Sequence, residues 1–339
     1  MALVLRLLLL CLWPLGPLSA SEILLVGAQD QPGIRSFVAA LESRRPGDHV
    51  HFQTTADLPS PGKLKTGQRL ILMDNAALEW RLGENAGPPA LAMRISRVQA
   101  EQRLGKSRPA FLTLLWSDPP LGRQLRLARY LLPQAQRIGV LYGEHSGFLL
   151  EELRHAARPL GLEIIAQAWP DLRDSRPLQH LLGNSDVLLG LDDPDLYNSK
   201  TAKNLLLSSY GRQMALIGPN AGFVRAGALA STYSDQEDWL AVLDQLLDQP
   251  PGRWPRSLYP ARFGVSGNQQ VARAWACNRS IRTPPPRPWQ KESPPHEQRP
   301  ELGHPHPHAN HQPGPCPAAD LAADQLLHLR ADPGPAPGA

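Results

Sequence analysis

Six short segments concentrate the side chains that could hold a small polar molecule: Gly27–Asp30, Asp74–Asn75, Ser96–Arg97, Tyr142–Ser146, Asp192–Pro194 and Pro219–Asn220. Carboxylates, amides, a guanidinium and a phenol bind by charge and hydrogen bonding. Bond-making chemistry has no comparable signature. Gly105–Lys106–Ser107 ends like a phosphate-binding loop, but Ala100 stands where that loop needs glycine. Gly27–Ala28–Gln29–Asp30 lacks the G-x-G-x-x-G of a dinucleotide site. Gly143–Glu144–His145–Ser146–Gly147 lacks the glycine spacing of a nucleophile elbow. Asp192, Asp193 and Asp195 are interrupted by Pro194 and do not form an EF-hand loop; they are expected to cap the helix entering at Ser199. No nucleophile–base pair stands out, so neither catalysis nor a cofactor is expected.

These segments share a position. Each follows a short apolar run: Ile23–Val26, Arg69–Met73, Ala90–Ile95, Arg137–Tyr142, Val187–Leu191 and Ala215–Gly218. Phe111–Leu115 and Leu162–Ala168 are further runs of this kind. Between them apolar residues recur at helical spacing, as in Ile34, Phe37, Val38 and Leu41, or Leu121, Leu125, Ala128 and Leu132. Helices are predicted over Phe148–Leu160 and Ser199–Arg212, and a short one closes at Leu181–Leu182. Ser234 and Glu237 have the spacing of a capping box, opening a helix that carries Trp239, Leu240, Leu243, Leu246 and Leu247 on one face. Continuous apolar strands alternating with helices imply parallel sheets covered on both faces. The pattern restarts near Arg137, which predicts an α/β protein with two doubly wound lobes. Ligands of such sheets bind outside the carboxyl ends of the strands, and that rule selects the six segments. Gly, Asp, Asn and Pro are also ordinary turn formers.

Composition agrees. The chain has 339 residues, 42% hydrophobic and 19% charged, enough apolar content for real cores and suited to two domains. The net charge of +4 comes without a Lys/Arg block, which argues against a nucleic-acid partner. Residues 1–20 read as a cleaved signal peptide: Arg6, a Leu-rich run too short to span a membrane, then Ser19–Ala20. The mature protein is therefore expected in the periplasm. Two of the three cysteines, Cys277 and Cys316, follow that leader and form no disulfide framework. Of 36 prolines, 15 lie between Ile281 and Ala339, so residues 281–339 read as a disordered Pro/His-rich tail. His304, His306, His308 and His311 belong to that tail and not to a metal site. Its composition is also what a frameshift in a GC-rich gene would yield.

Longer pieces carry a family resemblance. LLPQAQRIGVLYG (131–143), SDVLLGLDDPDLYN (185–198), ALIGPNAGFVRAGALASTYS (215–234) and YPARFGVSGNQQVARA (259–274) resemble the tryptophan/tyrosine-type substrate-binding proteins of ABC transporters. LAMRISR (91–97) is the best match before Asp118. The resemblance implies a type I periplasmic-binding-like fold, with a hinge between lobe 1 (21–117) and lobe 2 (118–232) and a return (233–280) completing lobe 1. It implies a monomer that closes on a small amino-acid-like ligand and delivers it to an ABC permease. The alternative partner is a membrane signalling receptor on which a ligand-sensing protein docks. Gly27, Gln29, Asp74 and Asn75 would line the first lobe's side of the site. Arg97, Tyr142, Glu144, Asp192, Asp193 and Asn220 complete the candidates, with Arg97 for a ligand carboxylate and Asp192 for an ammonium.

Overall fold

The computed structural model describes residues 20–105, 107–278 and 330–331. The leader and almost all of the tail fall outside them. By internal contacts the chain forms two units: the described residues up to Arg94 with Pro109–Leu115 and Leu243–Ser257, and Ile95–Arg108 with Trp116–Val242 and the described residues from Leu258.

The first unit is organised by a six-stranded sheet. Its strands are β1 (Glu22–Gly27), β2 (His49–Thr54), β3 (Arg69–Leu72), β4 (Ala90–Ile95), β5 (Leu112–Trp116) and, after the long excursion into the second unit, β11 (Ser257–Leu258). The spatial order is β2-β1-β3-β4-β5-β11, with parallel pairing of β2, β1, β3 and β4. Ile23–Val26, Leu70–Leu72 and Ala90–Ala92 are all buried, as continuous apolar strands covered on both faces must be. The helices of this region are α1 (Pro32–Arg44), α2 (Asn75–Leu82) and α3 (Arg97–Leu104).

The second sheet has β6 (Arg137–Tyr142), β7 (Glu163–Ala168), β8 (Val187–Leu189), β9 (Ala215–Ile217), β10 (Ala230–Tyr233), β12 (Phe263–Gly267) and β13 (Arg330–Ala331). Their order is β7-β6-β8-β9-β10-β12-β13; the first five are parallel, and β12 and β13 add antiparallel. Helices α4 (Leu121–Leu131), α5 (Leu149–Ala157), α6 (Arg176–Asn184), α7 (Ser199–Gly211), α8 (Ala221–Ala226), α9 (Gln236–Leu247) and α10 (Gln269–Asn278) complete the sequence. Period-two alternation divides the strand residues between two cores. Ile138, Val140, Leu189 and Ile217 pack with Leu121, Leu125 and Leu153 on one face. Leu141, Leu188 and Leu216 pack with Leu178, Leu182 and Leu205 on the other.

Several local expectations change. The long run after Phe148 is an α-helix to Ala157 followed by a 3-10 turn at Arg158–Leu160. The capping pair of α9 is Asp235 with Asp238: each backbone N–H donates to the other's carboxylate, at 3.1 and 3.0 Å. Ser234 sits one residue outside that exchange. At α7 the cap is Asn198, whose side chain accepts from Lys200 and Thr201, so the Asp192–Asp195 group is released from that role. Residues 233–280 are divided between the units, because Thr232 and Tyr233 pair with Val265 and Gly264 and keep β12 in the second sheet. The half-buried strand His49–Thr54 escapes an apolar-run reading because its two histidines and Gln53 interrupt the pattern. Of the tail, Arg330–Ala331 are ordered as β13 against β12.

Arg81 shows how the first unit secures a helix end. It is fully buried, donates to the Glu84, Gly87 and Pro88 carbonyls, and stacks 3.7 Å above the Phe111 ring. A lysine cannot reproduce that planar fork. Arg81→Lys is expected to cost about 1.5–3 kcal/mol, the range for hydrogen bonds to charged groups, read as a lower midpoint in urea unfolding.

Candidate ligand-binding site

Both sheets share the strand order of the doubly wound fold, 2-1-3-4-5, in which successive crossovers leave the first strand in opposite directions. The carboxyl ends beside that reversal form the crevice where ligands of open α/β sheets bind. In the first unit the reversal lies between β1 and β3; in the second it lies between β6 and β8.

At the first reversal, Asp74 joins the two strand ends. Its Oδ2 accepts from Ala28 N at 2.7 Å and its Oδ1 from Ala77 N at 2.9 Å, which caps α2. A Cβ on Gly27 would lie 3.2 Å from Asp74 Oδ2 and from the Phe52 ring, so glycine there permits the close approach. Asn75 follows with a buried Oδ1 that makes no hydrogen bond among the described residues. Gln29 is exposed.

The second reversal repeats the device. Asp193 is buried, and its Oδ2 accepts from Ser146 Oγ at 2.5 Å while its Oδ1 accepts from Asp195 N at 3.0 Å. Ser146 Oγ in turn accepts from Gly143 N at 2.9 Å. A Cβ on Gly143 would stand 3.1 Å from Asp193 Oδ2, the counterpart of Gly27 against Asp74. Asp74 and Asp193 are thus clips between strand ends in the same topological position. Tyr142 is half-buried at the end of β6, and Glu144 is exposed in the turn beyond it.

Asp192 has a different environment. The one hydrogen-bond partner of its carboxylate among the described residues is Asn220, whose Nδ2 donates to Oδ1 at 3.0 Å while Asn220 Oδ1 caps α8 through Phe223 N. Burial, then the nearby Asp118 carboxylate, pushes the Asp192 pKa up to about 6, against the pull of the Asn220 hydrogen bond. A small cavity opens beside it, lined by Asp118, Gln124, Leu149, Leu191, Asp192 and Pro219. Gln124 is held in place: it donates to Gly218 O and Ser231 Oγ and accepts from Thr232 N.

Arg97 is largely engaged by its own unit. Its N and Nε donate to the two Asp118 oxygens at 2.8 and 3.0 Å, and Nη1 donates to Glu152 at 2.6 Å. Its guanidinium lies 5.7 Å from the Tyr259 ring centroid, and Tyr259 Oη is 3.5 Å from Asp118 Oδ2. Burial works against the charge, but Asp118, Tyr259 and Glu152 outweigh it and raise the Arg97 pKa above its ordinary value. Nη2 is the buried donor with no partner among the described residues. The sequence reading missed Asp118, Gln124, Glu152 and Tyr259 as site neighbours. Asp118 carries the signal of the others, an aspartate just past an apolar run (LLWSDPP).

No protein family matches this chain by sequence, and no curated protein does. Solved structures match at the level of fold. A ligand-free, open substrate-binding protein with adhesive properties from Clostridium difficile aligns with TM-score 0.59 and 17% identity, over 76% of this chain and 95% of that one. An ABC domain in complex with L-Trp from Streptococcus pneumonia aligns with TM-score 0.50 and 17% identity, over 76% and 95%. The fold is that of the type I periplasmic-binding proteins. A conserved domain protein from Vibrio cholerae shares it, with TM-score 0.50, 16% identity and coverage of 78% and 96%. Within this fold, strand ends at the two reversals are where ligand contacts are sought, and the clips at Asp74 and Asp193 hold those ends in place.

The raised Asp192 pKa has a direct consequence for stability. The folded protein binds this proton more tightly than the unfolded chain, whose aspartates titrate near 3.8. Stability from this group is therefore greatest below about 4, falls as pH rises through about 6, and is flat above. The full difference is about 2–3 kcal/mol, from the pKa separation at ~1.4 kcal/mol per unit. Asp192→Asn should remove that slope and be the more stable form at pH 8, by about 1–3 kcal/mol, measured by urea unfolding from pH 4 to 8.

Proposed function

We propose that this protein captures a small amino-acid-like solute and delivers it to an ABC importer, acting by binding without catalysis. The observation that carries this reading is Asp192, a half-buried carboxylate at a strand reversal with one donor on it among the described residues. A protein does not keep such a group for stability; a ligand ammonium would supply the missing charge. The strand reversal repeated in two units of one chain supports a binding role, since each offers the crevice at which open α/β sheets take ligands. That a protein of this fold holds L-Trp supports an amino acid as the class. The leader-like residues 1–20 support export to the periplasm.

In this reading Asp192 binds the ammonium and Asn220 orients it. Tyr142 and Glu144 belong to the strand reversal of the second unit, and Gln29 and Asn75 to that of the first. Gly27, Asp74 and Asp193 act on the ligand by fixing the strand ends. Arg97 offers one remaining donor, Nη2, to a ligand carboxylate.

The test is a thermal-shift screen of the purified chain against amino acids, small peptides, nucleosides and organic acids. A ligand at about 100 times its dissociation constant adds ~2.7 kcal/mol, which raises Tm by roughly 5–10 °C for units of this size. Amino-acid hits are expected, and Asp192→Asn should weaken the best of them at least tenfold. Hits confined to ligands without an ammonium group, or a variant that binds as well as the parent, would reject the assignment of Asp192.

A further inference from the structure

Among the described residues each sheet ends in two free edges, β2 and β11 in the first and β7 and β13 in the second. Strands β11 and β13 are two residues long and offer little to pair with. Strands β2 and β7 have six residues each. The first reads HVHFQT, with Val50 and Phe52 on one face and His49, His51 and Gln53 on the other. The second reads EIIAQA and is apolar on both faces: Ile164 and Ala166 pack partly buried against one core, and Ile165 against the other. No residue of β7 is fully covered, whereas β8 and β9 in the middle of the same sheet are buried throughout.

The backbone of β7 shows which groups its edge leaves over. Glu163 N donates to Gln136 O at 2.8 Å and Trp169 N to Tyr142 O at 2.9 Å, at the two ends of a register that runs from Arg137 opposite Glu163 to Tyr142 opposite Ala168. Odd-numbered residues therefore turn N–H and C=O toward β6, and Ile164, Ala166 and Ala168 turn theirs away from the sheet. Among the described residues one bond reaches those outward groups, from Gln167 Nε2 to Ala168 O at 3.2 Å. Native edges are guarded by lysine, proline, a bulge or a covering element. Strand β7 has neither lysine nor proline, and its register with β6 skips no residue.

We propose that β7 is a homodimer edge, on which two copies of this chain pair antiparallel about a two-fold axis at Ala166. In that register Ala166 meets its own copy and Ile164 meets Ala168, so each outward N–H and C=O finds a partner. Ile165 comes opposite Gln167, and apolar surface is covered on both faces of the sheet. The strand suits a second copy of itself. Glu163, its one charged residue, lies at the end, and antiparallel pairing sends the two carboxylates to opposite ends. The contact uses the same edge of both chains, so it closes at two. Nothing in it depends on the solute-binding reading.

The experiment is sedimentation velocity on the full chain across a broad range of concentration, and a monomer–dimer equilibrium is expected. Ala166→Pro removes an N–H that β6 does not use, so the sheet keeps its ladder while the dimer loses the bonds at its axis. This variant should sediment as a monomer. Gln167→Lys sets an edge guard opposite the second copy's Ile165, twice in each dimer, and should weaken dimerisation about tenfold at unchanged circular dichroism. Gln53→Lys on β2 should dimerise as the parent does. Pulsed electron paramagnetic resonance reads the register. With the native cysteines replaced by serine and a spin label on Glu163→Cys, the two labelled backbone positions should lie about 20 Å apart, the length of six strand residues. A parent that stays monomeric, or that runs on to larger assemblies, overturns the proposal. So does dimerisation that survives both β7 substitutions, or a dimer without the short label distance.

Discussion

The handedness of β-α-β crossovers is the constraint on which this molecule is built. Parallel strands joined by helices wind almost always right-handed, so a sheet can be covered on both faces only if the chain starts in the middle and winds outward twice. The order β2-β1-β3-β4-β5, and β7-β6-β8-β9-β10 after it, is that solution made twice in one chain. Each reversal leaves two neighbouring strand ends whose following loops depart to opposite faces. Backbone groups at those ends lose their ladder partners, and polar side chains must satisfy them.

Asp74 and Asp193 answer that need in the same way. Each carboxylate spans the gap to the neighbouring strand's loop, directly onto Ala28 N in one case and through Ser146 onto Gly143 N in the other. Each faces a glycine, where a Cβ would stand 3.2 or 3.1 Å from the carboxylate oxygen, tighter than ordinary van der Waals contact. Such clips give a rigid floor, and a rigid floor is what binding with few polar contacts requires. Asp192, next in the chain to one clip, is the carboxylate the floor does not consume. Its burial beside Asp118 is a stability cost that a cationic ligand group would reverse.

The electrostatics of the second unit continue from this point. Asp118 holds Arg97 with both oxygens and raises the proton affinity of Asp192, so one carboxylate serves a buried ion pair and the candidate site together.

The sequence by itself determined the class of fold and the positions at which function would be sought. Continuous apolar runs such as Val187–Leu189, each followed by Asp, Asn or Gly, are physical consequences of buried parallel strands and their turns, and they remain legible without coordinates. It did not determine which carboxylates were structural. Asp74, Asp192 and Asp193 look alike in a chain read linearly; the structure separates them by what stands opposite, backbone amides and a serine for two of them, an amide side chain and a second carboxylate for the third. Capping moved by one residue, from Ser234 to Asp235, because reciprocal bonding depends on where the backbone turns. Arg97, a candidate for a ligand carboxylate from its place after a strand, gives most of its donors to Asp118 and Glu152, residues 21 and 55 positions away. Only tertiary structure decides such pairings, since partners that meet through the fold of the sheet leave no periodic trace along the chain.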